Sequence, residues 1–314
     1  MKKIFIVLMM LLVLSSCTNS KDNKAKIVCP SGAPSLAFYT EIDNENFYTG
    51  DASSILPELK GEGNADVVVI DTVNGIKALN AGSNYYLASN ITFGNFFVAA
   101  TGNDDNGVME DGDYIVLFSS GATPDLVFHY IYGTTLDSNI HYVQAVSDAL
   151  TCLVKGINIS DDERKIDEEP YVDYVMIAEP ALTVALSQNE NASVYANIQD
   201  LYKEKTKGLN MIQASVFVRK DYEGAKDYLD KLSNTIDGLL NNPSVFGEVI
   251  NDYELSDLEV KDIFGIPNVK IATKVLSNNS IGLGYINALD NKKAIDEFIK
   301  LFGMEETSEE IYFK

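Results

Sequence analysis

ADVVVIDTVNG, residues 65–75, has the pattern of a buried β-strand that turns directly into a helix. The apolar, β-branched run VVVI favours a strand covered on both faces, because such strands carry apolar residues without alternation. Asp71 and Thr72, which follow it, are residue types that commonly begin helices. A transition of this kind predicts a βα unit, and therefore a sheet whose strands run mostly parallel.

The same alternation of short strands and helices continues along the chain and predicts an α/β protein. Strands are expected at 26–29, 65–70, 85–88, 114–118, 140–143, 171–177 and 213–218, with helices between them, and the chain after Asp221 is predicted to be almost wholly helical. The order suggests two lobes joined by a hinge of two crossing strands. Lobe 1 would comprise residues 26–118 and 214–314, and lobe 2, inserted into it, residues 119–213.

The N-terminus has the pattern of an export signal. Lys2 and Lys3 precede an apolar run, residues 4–14, that is too short to span a bilayer comfortably. Ser-Ser-Cys follows Leu14, the last residue of the run, and the segment Leu-Ser-Ser-Cys resembles a bacterial lipobox. We therefore expect residues 1–16 to be a signal peptide, Cys17 to carry lipid, and 17–25 to be a polar tether. The alternative is an ordinary signal peptide or short anchor in which Cys17 is a chance cysteine.

Composition excludes several classes of function. The 314 residues are 46% hydrophobic, enough for a full core, and the formal charge of −22 disfavours nucleic-acid binding.

Cys29 and Cys152 lie in apolar runs and are expected to be buried side chains, although a disulfide between them stays open. His129 and His141 have no ligands at zinc spacing and no nucleophile context, so neither a metal, a cofactor nor an enzymatic activity is expected.

Two loops of similar sequence are candidate binding loops. Ser31, Gly32 and Ala33 follow one predicted strand and open a helix, and Ser120, Gly121, Ala122 and Thr123 do the same before Pro124. Backbone N–H groups at helix starts can bind polar or anionic groups. The alternative for each loop is an ordinary βα turn, with Ser35 as a helix cap in the first.

Two carboxylates also follow predicted strands. Asp71 could contact a ligand together with Thr72, or it could simply cap the helix that begins there. Glu179 precedes Pro180 at a predicted helix start and could face a ligand, or it could pair with a residue of the neighbouring lobe. None of the candidate loops contains an arginine, which argues against a small doubly charged anion as ligand.

The ordered set of motifs resembles a known family. The segments are PSGAPSLAF (30–38), ADVVVIDTVNG (65–75), ITFGNFFV (91–98), SGATPDLVFHYI (120–131), VDYVMIAEPALTVAL (172–186) and SVFVRKDY (215–222). They are similar to solute-binding proteins of ABC importers, in the type II branch that includes nitrate, sulfonate, taurine and thiamine-precursor binders. The resemblance implies a two-lobed, periplasmic-binding-protein-like Venus flytrap. Phe93, with Gly94 and Asn95, stands where family members commonly carry tryptophan.

The resemblance also implies partners and a location. A small polar, or anionic or heteroaromatic, metabolite would bind between the lobes, and a permease and an ATPase subunit would receive it. The protein would be a monomer, held by its lipid on the outer face of the cytoplasmic membrane or in the periplasm. The alternative is a surface lipoprotein of the same fold that acts as a sensor or adhesin without transport. The fold also occurs in an enzyme branch that uses a cysteine-rich motif, which is missing here.

Overall fold

The computed structural model describes residues 24–61, 63–103, 106–157 and 171–314. The strands are β1 (Ile27–Pro30), β2 (Phe47–Gly50), β3 (Val67–Asp71), β4 (Tyr85–Thr92), β5 (Phe96–Ala100), β6 (Ile115–Phe118), β7 (Ile140–Val143), β8 (Tyr174–Ala178), β9 (Ser193–Asn197), β10 (Ala214–Arg219) and β11 (Leu283–Asn287). The α-helices are α1 (Ala52–Lys60), α2 (Thr72–Asn80), α3 (Thr123–Tyr132), α4 (Val146–Lys155), α5 (Ala181–Gln188), α6 (Ile198–Lys205), α7 (Ala225–Asn241), α8 (Ser244–Asp252), α9 (Asp257–Phe264), α10 (Val269–Ser277) and α11 (Lys292–Ile299). Short 3₁₀ helices span Ala33–Glu41, Asp137–Asn139, Lys300–Phe302 and Glu309–Ile311.

The strands form two mixed sheets, one in each lobe. The first has the order β2-β1-β3-β10-β4-β11 and the second the order β7-β6-β8-β5-β9. In each sheet three neighbouring strands are parallel and the fourth, β10 or β5, is antiparallel to both of its neighbours. The predicted α/β architecture with two lobes and two chain crossings is therefore confirmed.

The chain crosses between the lobes at 93–95, from β4 to β5, and returns through 206–213 into β10. The predicted boundary after Phe118 is wrong, because β6 pairs with β7 and β8 in the second sheet. The reason lies in β5, which was not among the predicted strands and whose apolar run FFVAA is separated from the end of β4 by only three residues. An apolar run predicts a strand but not the sheet that it joins, and here β5 pairs with β8 in the second sheet.

The N-terminal boundary also differs from expectation. Ala25, predicted to lie in the tether, is buried, and its carbonyl accepts a 3.0 Å hydrogen bond from Asn44 Nδ2. Lys24 pairs with Asp43 at 3.0 Å. The folded domain therefore already includes Lys24, whereas the predicted signal peptide and Cys17 lie outside the described residues.

Gly75, in the motif that predicts the fold, allows α2 to approach β10. A Cβ placed on Gly75 would lie 2.0 Å from Phe217 Cζ, so any larger residue would force the two elements apart. Phe217 is fully buried in the core that also contains Val68 and Ile70 of β3. The motif thus combines a strand, a helix start and a close packing contact within eleven residues.

The chain after Asp221 is not wholly helical, and it contacts both lobes. β11 lies within it and extends the first sheet beside β4. Phe298 of α11 packs edge-on against Tyr202 of α6, with ring centroids 6.1 Å apart. The lobes therefore share apolar contacts in addition to the two chain crossings.

Candidate functional site

The loop after β1 is held by backbone packing. Gly32 has φ 117° and precedes the 3₁₀ helix Ala33–Glu41, and its carbonyl accepts a 2.8 Å hydrogen bond from Ser35 Oγ. A Cβ on Gly265, at the C-terminus of α9, would lie 2.8 Å from both the N and Cα atoms of Gly32. Ser31 and Gly32 keep partial solvent exposure, whereas Ala33 is buried. The backbone of this loop is thus held by its own serine and by packing against the end of α9.

At the end of β3, Asp71 acts as the cap of α2. Its Oδ1 accepts a hydrogen bond from Asn74 N at 2.9 Å. Burial raises the pKa of the Asp71 carboxyl above its ordinary value, against the opposing effect of the backbone donors. Thr72 is fully buried, and its Oγ1 lies 2.6 Å from Ser215 Oγ of β10. The capping role is therefore present, and Thr72 serves the contact between β3 and β10.

The loop after β6 is held by one buried carboxylate. Asp125 Oδ2 accepts a 2.7 Å hydrogen bond from Gly121 N, and its Oδ1 accepts one from Tyr142 at 2.9 Å. His129 Nδ1 lies 2.8 Å from the same Oδ1. Burial and the hydrogen bond to Asp125 raise the pKa of Tyr142 to about 12. Ser120 and Gly121 remain exposed on this loop, while Ala122 and Thr123 are half-buried.

Glu179, at the end of β8, pairs across the lobes as the structural alternative predicts. Its side chain is buried and accepts hydrogen bonds from Thr183 N at 3.0 Å and Thr183 Oγ1 at 2.9 Å. A third bond, of 2.9 Å, comes from Ser280 Oγ of the first lobe. This carboxylate is thus occupied by protein donors and joins the two lobes.

The three remaining candidates, residues 93–95 of the first crossing segment, lie in two different places. Asn95 is buried and joins the two crossings, because its Nδ2 donates to Glu179 O at 2.9 Å and its Oδ1 accepts from Gln213 Nε2 at 3.0 Å. Phe93 packs against Gly284 of β11, and both Phe93 and Gly94 line a groove beside the hinge. The aromatic residue expected in the ligand cleft therefore lies on the outer flank of the crossing strands.

Strand directions place four of the predicted loops at the hinge edges of the two sheets. The parallel strands β1 and β3 end at the hinge edge of the first sheet, and β6 and β8 end at the hinge edge of the second. Ligands of open α/β sheets bind outside the carboxyl ends of such strands. The interlobe space bounded by the loops 31–33, 71–72, 120–123 and 179–180 is called the cleft below.

Sequence reasoning missed residues that fix these loops. Asp125 lies four residues after Gly121 near a helix start, which is a signal for an N-terminal carboxylate, whereas Ser280 and Gly265 are distant in sequence from the loops they contact. His129 also approaches Asp137, and His141 stacks on Tyr114 with centroids 3.8 Å apart, which agrees with the structural roles expected of both histidines.

The cysteines do not form the disulfide left open by the sequence. Cys29 lies in β1 of the first lobe and Cys152 in α4 of the second, and both are buried thiols. Burial raises the pKa of the Cys29 thiol well above its ordinary value. Within the described ranges, no group of three or more His, Cys, Asp or Glu side chains is arranged to hold a metal ion.

No helix in the described part of the chain is both long and apolar enough to cross a membrane. No protein-family model matches the sequence, and no curated protein sequence matches it.

Solved structures share the fold. An ABC transporter protein from Parabacteroides distasonis is 18% identical with a TM-score of 0.69, and the match covers 93% of this chain and 100% of that one. The ligand-binding component of an ABC-type import system from Staphylococcus aureus, solved with zinc bound, is 10% identical with a TM-score of 0.58, covering 92% and 96%. The periplasmic aliphatic sulphonate binding protein of Escherichia coli is 12% identical with a TM-score of 0.52, covering 93% of each chain. The chain therefore has the periplasmic-binding-protein fold, as the sequence resemblance predicts.

Proposed function

We propose that this protein is the solute-binding component of an ABC importer and captures a small polar molecule in the cleft between its lobes. The observation that carries the proposal is the pair of sheets with matching strand order, joined by two chain crossings, with loops of similar sequence at the ends of β1 and β6. A ligand that contacts both loops would favour the closed arrangement of the lobes. A permease and an ATPase would then receive the ligand.

The charges near the cleft favour a neutral or heteroaromatic ligand over an anion. The loop sequences at 30–35, 71–74, 92–95, 119–123 and 179–181 contain no lysine or arginine. The chain has only two arginines, and Arg219 lies at the far end of β10, paired with Asp66 at 2.9 Å. Asp71 places a half-buried carboxyl at the end of β3, and its ionised form would repel an anionic ligand.

A thermal-shift series tests the cleft. Nitrate, a short alkanesulfonate, a thiamine-precursor pyrimidine and riboflavin represent the ligand classes, and a compound that binds the folded state raises the melting temperature. We expect a rise with a neutral or heteroaromatic compound, and its loss in Ala122→Trp, which fills the cleft at an extended backbone position. Ser193→Trp, on the exposed edge strand β9, is the control and should keep the rise.

The outcomes separate the two parts of this proposal. A rise with nitrate or the sulfonate alone would contradict the charge argument but retain the cleft. The importer function itself fails if no compound of these classes shifts the melting temperature, or if the shift persists in Ala122→Trp.

Anchoring through Cys17 is a separate part of the proposal. Two or three acyl chains, at about 0.8 kcal/mol per buried CH₂, would hold the domain on the membrane surface outside the cytoplasm. Replacing Cys17 by Ala should move the protein from the membrane fraction to the soluble fraction and leave ligand binding intact. Retention on the membrane, or loss of binding in the soluble variant, would contradict this division of roles.

A further inference from the structure

A groove of about 470 Å³ lies beside the hinge, in addition to the cleft. Its walls come from four parts of the chain: the first crossing with Phe93, the start of α6, Asn210 of the returning crossing, and the loop 278–283 that leads into β11. The groove therefore contacts both lobes and the connection between them. This volume lies in the range of small-molecule sites in proteins.

The strand order places most of this groove on the opposite flank of the crossing strands from the cleft, and the two sites adjoin where Ser280 of the groove donates to Glu179. In the first sheet β3 and β1 lie on one side of β10 and β4, and β11 lies on the other. In the second sheet β8 and β6 lie on one side of β5, and β9 lies on the other. The cleft loops follow β1, β3, β6 and β8, whereas the groove walls adjoin β9 and β11. The hinge groove is thus a second interlobe site.

Carboxamides dominate its polar walls and are fixed by local hydrogen bonds. The oxygens of three of them accept from the protein: Asn197 from Gln199 N at 2.9 Å, Asn278 from Ser280 N at 3.0 Å, and Asn210 from Gln199 Nε2 at 3.4 Å. Gln199 itself is buried and accepts from Met211 N at 3.0 Å. Because an amide carries two further N–H donors, these walls present donors in a preformed arrangement.

The groove also carries one charge of each sign. Asp200 and Lys203 both line it from α6, and neither forms an ion pair within the described part of the chain. Their charges cancel, so a ligand with a single net charge would be attracted by one and repelled by the other. Phe93 adds an apolar surface beside these polar groups.

We propose that the hinge groove binds a small, neutral, polyhydroxylated molecule, such as a monosaccharide or a cyclic polyol. Each hydroxyl oxygen can accept from the amide groups or from Lys203, and each hydroxyl proton can be donated to Asp200. The carbon skeleton of such a molecule can lie against Phe93. The proposal concerns a different site from the cleft and does not depend on which ligand the cleft takes.

A molecule bound in this groove would also affect the angle between the two lobes. Its walls move relative to one another when the lobes rotate about the crossings, so a molecule that contacts both walls favours one lobe angle. Coupling of this kind is reciprocal, and a cleft ligand would then change the affinity of the groove by the same factor.

Saturation-transfer difference NMR with D-glucose and myo-inositol tests the assignment on the folded domain. We expect saturation transfer to at least one of the two, at least a fivefold weaker signal in Lys203→Ala, and loss of signal in Asn278→Trp, which fills the groove from the exposed end of α10. Lys226→Ala, an exposed lysine on α7, is the matched control and should bind as the unaltered protein does. Melting curves confirm that each variant is folded.

Two further comparisons decide where a sugar binds. Ala122→Trp fills the cleft and should leave the signal unchanged, so loss of signal in this variant would place the sugar in the cleft and overturn the groove assignment. Absence of saturation transfer from both compounds, or binding of glycine in their place under the same conditions, would also overturn it.

Discussion

The sequence Ser-Gly-Ala occurs at residues 31–33 and again at 120–122, in each case within two residues of the end of the strand that lies between two parallel neighbours of its sheet. The two loops are held in different ways. The first is covered by the C-terminus of α9, where Gly265 contacts the backbone of Gly32. The second remains exposed and is held by the carboxylate of Asp125, four residues along the chain.

This difference shows that similar loop sequences do not imply similar restraint. The first loop depends on a residue more than two hundred positions away, and therefore on the packing of the whole first lobe. The second depends on a hydrogen bond within its own helical turn. We therefore expect the first loop to lose its conformation only when packing within the first lobe is altered. The second should lose its conformation after a single polar substitution.

The largest effect should follow from Gly265→Ala. Gly265 has φ 65°, a conformation that costs an L-residue about 1 kcal/mol, and its new Cβ would lie 2.8 Å from Gly32. Overpacking of this kind adds about 1–3 kcal/mol. Urea unfolding should therefore show a loss of about 2–4 kcal/mol.

Gly303→Ala is the matched control for this substitution. Gly303 also ends a helical segment, with φ 68°, but a Cβ there would meet no atom within 4 Å. Its cost should be limited to the backbone conformation, at about 1 kcal/mol. Equal losses in the two variants would show that contact with Gly32 does not restrain the first loop.

A smaller effect is expected from Asp125→Ala in the second lobe. The substitution leaves Gly121 N and the Tyr142 hydroxyl without their acceptor, which should cost about 2 kcal/mol in unfolding free energy. Asp148→Ala removes an exposed carboxylate that accepts from Ala145 N, and should cost about 1 kcal/mol. If the two losses are the same, the second loop is held by something other than Asp125.

The bond between Tyr142 and Asp125 should make the second lobe sensitive to high pH. Burial and this bond raise the pKa of Tyr142 to about 12, so the folded protein holds the phenolic proton more tightly than the unfolded chain does. The contribution to stability is complete below about pH 10 and is lost as the pH rises through 12.

The measurement compares unfolding of the unaltered protein and Tyr142→Phe at pH 9 and pH 11.5. The stability difference between them should shrink at the higher pH. Tyr48→Phe, at an exposed position, provides the control and should show no such change. A constant difference for Tyr142→Phe would contradict the assigned bond.

Local sequence patterns predicted the features that depend on neighbouring residues. The strand and helix start at 65–75 are confirmed, as is the α/β architecture, because strand periodicity and helix caps are local signals. The lobe boundary was predicted wrongly because β5 was not predicted as a strand, and only pairing with β8 assigns β5 and β6 to the second sheet.

In the candidate site, too, local sequence patterns predicted only the features that depend on neighbouring residues. The cap at Asp71 follows from its position before a helix, whereas the hydrogen bond between Ser280 and Glu179 joins residues that only the folded lobes bring together. Phe93 was expected in the cleft from the family resemblance, but the crossing turns it to the opposite flank, against Gly284. The position of a residue at the end of a strand predicts that it lies near the hinge. It does not predict which flank of the crossing strands the side chain faces.

The smallest effect should come from Ser280→Ala, which tests how the two loops are kept in relation to each other. Ser280 Oγ donates to Glu179 Oε1 across the lobes, and Glu179 retains both bonds from Thr183 when that donor is removed. The cost should be about 1 kcal/mol in unfolding free energy. Because the lost bond joins the lobes, small-angle X-ray scattering of the ligand-free variant should show a larger radius of gyration.

Thr183→Val provides the contrast, since it removes a bond to the same carboxylate from within the second lobe. It should lower stability by a similar or larger amount and leave the radius of gyration unchanged, because both partners move together when the lobes rotate. If both variants scatter alike, Glu179 acts as a local helix-start contact of α5, and the separation between the two loops is set by the crossings and the apolar contact of α11 alone.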